Sequence, residues 1–125
     1  MRGICCLVPG IKGLSENIKV ISIIDRYLEH ARFYIFHNNG DPLIYAASAD
    51  WMKRNLSRRI EVAFPIYDSN IWQGIMDVVE LQLNDNTKAR IIDNEQSNEY
   101  QINDLPDKIR SQTDTYKLIK VKEQQ

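Results

Sequence analysis

Residues 32–47 read RFYIFHNNGDPLIYAA, two runs of aromatic and β-branched side chains about Asn38-Asn39-Gly40-Asp41. Such runs suit pleated, half-buried strands, and Asn and Gly accept the left-handed backbone that a tight reversal demands. The pattern predicts an antiparallel hairpin with strands at 32–37 and 43–47. In an antiparallel pair the start of one strand lies beside the end of the other. His30, just ahead of the first strand, therefore faces the polar segment after the second, which carries Ser48, Asp50 and Asn55 among the basic side chains Lys53, Arg54, Arg58 and Arg59.

The remaining segments are read in the same way. The apolar run 3–8 (GICCLV), closed by Pro9-Gly10, reads as a buried strand. Ser15 is placed to cap a helix over about 16–28, where Ile18, Ile21, Ile24 and Leu28 recur at helical spacing. Residues 59–66 (RIEVAFPI) alternate as a strand, with Pro65 marking its end or a sheet edge. Asp68 or Ser69 caps a helix striped by Trp72, Met76, Val79 and Leu83 and widened by Ile71, Ile75 and Val78. A last strand is expected at 88–93. Pro106 suits the first position of a terminal helix with Ile109, Tyr116 and Ile119 on its inner side. Strands interspersed with helices predict an α/β sandwich in one domain.

Composition narrows the function classes. At 43% apolar and 26% charged residues, the chain has what a folded domain needs. A net charge of −1 gives no global attraction to nucleic acid, so no nucleic-acid partner is expected. Cationic side chains do cluster locally, at 53–59 and again at Lys108, Arg110, Lys117, Lys120 and Lys122. Cys5 and Cys6 are adjacent, which on a strand points them to opposite faces, and they are read as reduced core residues. Neither a membrane-spanning run nor a signal-peptide pattern is visible, and a cytoplasmic location is expected. The glycines form no phosphate-binding loop of the G-x-x-x-x-G-K-[ST] kind.

The chemistry rests on a few side chains. His30 follows a predicted helix and can serve as an acid or anion binder. Arg2 offers a guanidinium able to make two parallel bonds to a phosphate. Asp50 can orient a histidine or cap the next helical turn. Ser48, Arg54 and Asn55 are candidate donors to phosphate oxygens, and Arg54 can equally be a solvated charge. His37 is read as a hairpin residue without a catalytic role.

The strings RGICCLVP, DRYLEH and SADWMKRN resemble the C-terminal catalytic domain of the histidine-phosphorylating polyphosphate kinases. The hairpin with its histidine also resembles one half of a phospholipase-D-like active site. Phospholipase D enzymes carry H-x-K at this place, whereas His30-Ala31-Arg32 fits the H-x-R of the polyphosphate kinases. The similarity runs from Arg2 to about Arg90, including Lys88 and Arg90, and continues more loosely beyond. It implies a phospholipase-D-like α/β sandwich that forms one half of a bilobal catalytic unit. It also implies that residues 1–125 are the C-terminal catalytic domain of a longer enzyme that reversibly transfers the terminal phosphoryl group of ATP to inorganic polyphosphate. The resemblance implies that Arg2 and His30 contact nucleotide phosphates, with His30 catalytic, Arg32, Ser48, Asp50, Arg54 and Asn55 lining the site, and the phosphohistidine on a preceding domain. Magnesium would accompany ATP, with no ligand set for it in this chain. Partners would be ATP or ADP, polyphosphate and the remaining domains of a homo-oligomeric enzyme, cytoplasmic and open to membrane association. Two other readings stand beside this one: a phosphodiesterase half-site that dimerises to pair two copies of His30, and a non-catalytic phosphate-binding domain.

Overall fold

A computed structural model describes residues 6–123, so Arg2 and Cys5 lie outside the described residues. The elements in chain order are β1 (Val20–Ile23), β2 (Phe33–Phe36), β3 (Leu43–Ala47), α1 (Lys53–Arg58), β4 (Ala63–Pro65), α2 (Ser69–Leu83), β5 (Ala89–Ile92) and α3 (Ser111–Lys122). The chain is mixed α/β, with two small antiparallel sheets: β1 with β5, and the meander β2-β3-β4. It divides into two compact units, residues 28–76 and the two flanking segments, 1–27 with 77–125.

The unit of residues 28–76 contains the expected hairpin. Phe33 pairs with Ala46 and Phe36 with Leu43. The reversal uses the left-handed backbone anticipated for it, with φ of 44° at Asn38, 55° at Asn39 and 92° at Gly40. Beyond β3 the ladder continues into β4, pairing Tyr45 with Pro65 and Ala47 with Ala63. Pro65 is tolerated because β4 is an edge strand, where its missing N–H leaves no ladder bond unmade. Ile44, 1% exposed, is the buried apolar centre of this sheet. The strand expected over 59–66 forms only over Ala63–Pro65; ahead of it Glu61 bonds the Ser48 and Asn55 side chains and the Val62 N–H donates to Ser48 Oγ. At the start of α2, Asp68 is the cap: its Oδ1 accepts the N–H groups of Asn70 and Ile71 at 2.9 and 3.0 Å.

In the other unit β1 pairs with β5, Val20 opposite Ile92 and Ile23 opposite Ala89. A strand thus occupies the segment whose spacing predicts a helix over 16–28. Ile18, Val20, Ile21, Ile23 and Ile24 put five β-branched residues into seven positions. Their stiff side chains favour the pleated ladder over the helix that the same spacing permits. Ser15 caps no helix. It is buried in a tight loop, where its Oγ donates to the Val8 carbonyl and accepts the Ile11 N–H. The expected N-terminal strand is absent over its described part: residues 6–8 are exposed and irregular, so Cys6 is not a core residue.

The terminal helix begins at Ser111, not at Pro106, because its first turn is anchored by side chains from elsewhere. Asp85, fully buried, accepts the N–H groups of Thr87, Lys88 and Ala89 on Oδ1, at 3.0, 2.6 and 3.1 Å, and that of Ser111 on Oδ2 at 2.8 Å. Asp114 accepts the Arg110 N–H, and the Arg110 guanidinium makes two bonds to Asp25, through Nε at 2.7 Å and Nη2 at 2.5 Å. The Gln112 amide accepts the Tyr27 N–H and donates to the Tyr27 carbonyl. Of the expected inner-face residues, Ile109 precedes the helix, and Tyr116 and Ile119 are exposed.

Candidate functional site

At its open end the hairpin brings together His30, Arg32 and Asp50, whereas Ser48 and Asn55 turn to a separate cluster and Arg54 to solvent. His30 and Arg32 lie just ahead of β2, two positions apart, and their side chains meet. The Ala47 N–H donates to the Arg32 carbonyl at 3.0 Å, holding the start of this segment against the end of β3. The following loop is fastened too: the Tyr34 hydroxyl donates to the Ala49 carbonyl at 2.9 Å, and the Tyr34 ring lies 5.8 Å from that of Trp51. Asp50 sits between these two fastenings.

The Arg32 guanidinium spends every nitrogen locally. Nε donates to Asp50 Oδ1 at 2.6 Å, Nη2 meets His30 Nε2 at 2.7 Å, and Nη1 reaches the His30 carbonyl at 3.5 Å. An arginine only donates, so His30 Nε2 must present its lone pair, and the ring proton of the neutral imidazole resides on Nδ1. The Asp50 hydrogen bond and charge push the Arg32 guanidinium above its usual range. In return, the bond from Arg32 and then its charge outweigh desolvation and hold the Asp50 carboxyl below the ordinary aspartate value. Asp50 caps no helix: the residue at the N-terminus of α1 is Met52, without a side-chain bond.

A second polar cluster adjoins the first, organised by a residue the sequence reading passed over. Glu61 Oε2 accepts the Ser48 hydroxyl, Oε1 accepts Asn55 Nδ2 at 2.7 Å, and Arg59 Nε approaches Oε1 at 3.3 Å. The Ser48 oxygen also accepts the Val62 N–H at 3.0 Å. The bonds from Ser48 and Asn55, together with the charges of Arg59 and Arg32, keep the Glu61 carboxyl below its usual range despite desolvation. Asn55 is 2% exposed and its Oδ1 has no hydrogen-bond partner among the described residues. In RIEV, Glu61 reads as an ordinary alternating strand residue; a carboxylate seven positions after the basic Arg54 was the only available signal.

Arg54 is exposed on α1, as are Lys53 and Arg58. His37 lies at the far end of the hairpin, beside the turn, on the rim of an apolar groove of about 870 Å³ lined by Tyr34, Phe36, Tyr45 and Trp51. The groove meets the second polar cluster at Glu61 and Val62. Arg2 lies outside the described residues. Lys88 has no part in either cluster, and Arg90 stacks on the Tyr100 ring and donates to the Asn98 carbonyl. Among the described residues no three His, Cys, Asp or Glu side chains converge as a metal site. Asp50 is bonded to Arg32, and Glu61 to Ser48 and Asn55.

Residues 1–112 match the family described as polyphosphate kinase C-terminal domain 2. The chain belongs to this family. A polyphosphate kinase from Vibrio parahaemolyticus is 51% identical over 125 residues, which is all of this chain and 18% of the relative. One from Escherichia coli is 48% identical over 124 residues, 99% of this chain and 18% of the relative. A crystal structure of polyphosphate kinase from Porphyromonas gingivalis superposes with a TM-score of 0.91 at 46% identity, covering 98% of this chain and 19% of that one. The chain thus spans about a fifth of the length of the polyphosphate kinases it matches. No helix among the described residues is long and apolar enough to cross a membrane.

Proposed function

We propose that this domain serves a polyphosphate kinase that reversibly transfers the terminal phosphoryl group of ATP to inorganic polyphosphate. It does so as one phospholipase-D-like half of a bilobal catalytic unit. In this reading the nucleophilic histidine, which becomes phosphorylated, belongs to a preceding domain, and the present domain receives the phosphates. The observation that carries the proposal is the exposed His30, held by Arg32 and Asp50, in a chain of this family.

Phosphoryl transfer spreads negative charge over the transferred oxygens, so catalysis consists of positioning and electrostatic stabilisation. His30 bonds or protonates the departing phosphate oxygen. Arg2 clamps the nucleotide phosphates, and Arg32 lies within reach of the same anion. Ser48 and Asn55 line the site by holding Glu61 in place, since both spend their donors on it, and Arg54 supplies positive charge at the rim. Magnesium arrives bound to ATP. The enzyme is a cytoplasmic homo-oligomer in this reading.

Two measurements test the proposal. Tripolyphosphate titrated into the chain should shift the backbone amides of His30 and Arg32 in NMR spectra and leave His37 nearly still. The chain incubated alone with ATP and magnesium should make no polymer. A response centred on His37, or sustained synthesis by the chain alone, would place the phosphate site or the catalytic unit elsewhere.

A further inference from the structure

We propose that Asp50 is a positioning residue, which aims the Arg32 guanidinium so that it holds the His30 imidazole in one tautomer until a phosphate takes its place. The inference rests on the functional reading above and adds a role for the Asp50–Arg32 pair within it.

The argument begins with the fork of the guanidinium. Arg32 is a long side chain with several rotatable bonds, and fixing it costs rotamer freedom. Asp50 Oδ1 at 2.6 Å from Nε fixes the guanidinium at its inner edge, and Nη1 and Nη2 are then directed at the His30 carbonyl and Nε2. The Arg32 and Asp50 side chains are only 18% and 32% exposed, so the pair is half shielded while His30 is in the open. Asp50 is itself fixed by the neighbouring Ala49 carbonyl, which accepts the Tyr34 hydroxyl. The order of constraint therefore runs from the sheet, through Tyr34 and Asp50, to Arg32 and last to His30.

The final link is the exchangeable one. The Arg32–His30 bond carries a charge on its donor alone, whereas a guanidinium bonded to a phosphate oxygen joins opposite charges, often through two parallel bonds. An arriving phosphate is therefore a better acceptor for Nη2 than the imidazole nitrogen. It draws Nη2 away and uncovers His30 Nε2, which takes up a proton from solvent and only then donates to a phosphate oxygen, while the Nε bond to Asp50 remains. Asp50 thereby keeps Arg32 from following the anion out of position. Glu61, ahead of β4, helps to stabilise the charge of Arg32, but its oxygens are engaged by Ser48 and Asn55. It is not a substitute anchor.

The test joins a spectroscopic and a kinetic arm. In the chain, nitrogen-15 shifts of His30 should report the Nδ1–H tautomer for the wild type and a mixture for Asp50→Ala, with Asp50→Glu restoring part of the preference. Tripolyphosphate should change the wild-type Nε2 signal. In a full-length polyphosphate kinase carrying this domain, Asp50→Ala should lower kcat by about 10- to 10²-fold, as misplacement of a catalytic group does, with a smaller change in KM for ATP. Asp50→Ala should cost little more once His30 is already alanine. Unchanged His30 tautomers in folded Asp50→Ala and Asp50→Asn chains would overturn the positioning role whatever the rates. Altered tautomers together with a fully active His30→Ala enzyme would instead overturn the functional reading and leave the positioning intact.

Discussion

Replacement of Asp85 by alanine is expected to destabilise the chain by about 4 kcal/mol, since it strands buried N–H donors that each cost about 1–3 kcal/mol when unpaired. Asp85 is fully buried and its two oxygens accept four backbone N–H groups, three leading into β5 and one at the first residue of α3. One carboxylate therefore ties a strand to a helix that starts 26 positions later. Urea denaturation measures the loss, and a cost under about 1 kcal/mol would show that water reaches these donors. The same residue carries a pH dependence. Burial pushes its carboxyl up, but the bonds from Lys88, Ser111 and Thr87 outweigh that and leave it below the ordinary aspartate value. A depressed carboxyl stabilises the fold above the unfolded value of about 3.9 and ceases to do so as pH falls through the lower folded value. Asp25, held down chiefly by its hydrogen bond from Arg110, acts with the same sign. Asp85→Asn should flatten the acid limb of stability while also placing an amide donor against the Ser111 N–H.

In a full-length polyphosphate kinase carrying this domain, His30→Ala is expected to lower kcat by about 10²- to 10⁴-fold, the range typical of a lost general acid. The fold should be untouched, because the ring is exposed and, among the described residues, its polar side-chain contact is with Arg32. His30→Gln should keep part of the phosphate hydrogen bonding and nucleotide affinity, yet remain slow, because an amide donates no acidic proton. Steady-state rates in both directions of the reaction provide the check, with thermal melts confirming that each variant folds. Wild-type rates from folded His30→Ala enzyme would remove this histidine from the chemistry.

The parts of this chain that could be read in advance are those whose determinants are local. The hairpin at 32–47 follows from Asn38, Asn39 and Gly40 with its flanking aromatic runs, and α2 follows from Asp68 and a long apolar stripe. β1 departs from the helix its spacing suggests because Ile18, Val20, Ile21, Ile23 and Ile24 are β-branched and the distant Ala89–Ile92 strand supplies their ladder. The start of α3 was misplaced for a like reason: Asp85, Asp25 and Tyr27 hold its first turn, and none is near it in sequence. Within the site, His30, Arg32 and Asp50 were recognisable, and the geometry joins them. The place of Glu61 was hidden, since a charged residue in a short alternating run has no mark of its own until Ser48 and Asn55 converge on it.

The division of one unit into two flanking segments bears on how the chain folds. β1 and β5 can pair only after residues 24–88 have been brought round, and within that interval lies the meander of residues 28–76. Closing a loop costs entropy that rises by about 0.6 kcal/mol with each doubling of its length. A meander that collapses early removes much of the intervening chain from that reckoning, since its contacts span short separations. Folding is therefore ordered from the inside outward, with the hairpin of residues 32–47 as the early local nucleus. The ladder closed by Asp85 and the Arg110–Asp25 bonds is the late, long-range step.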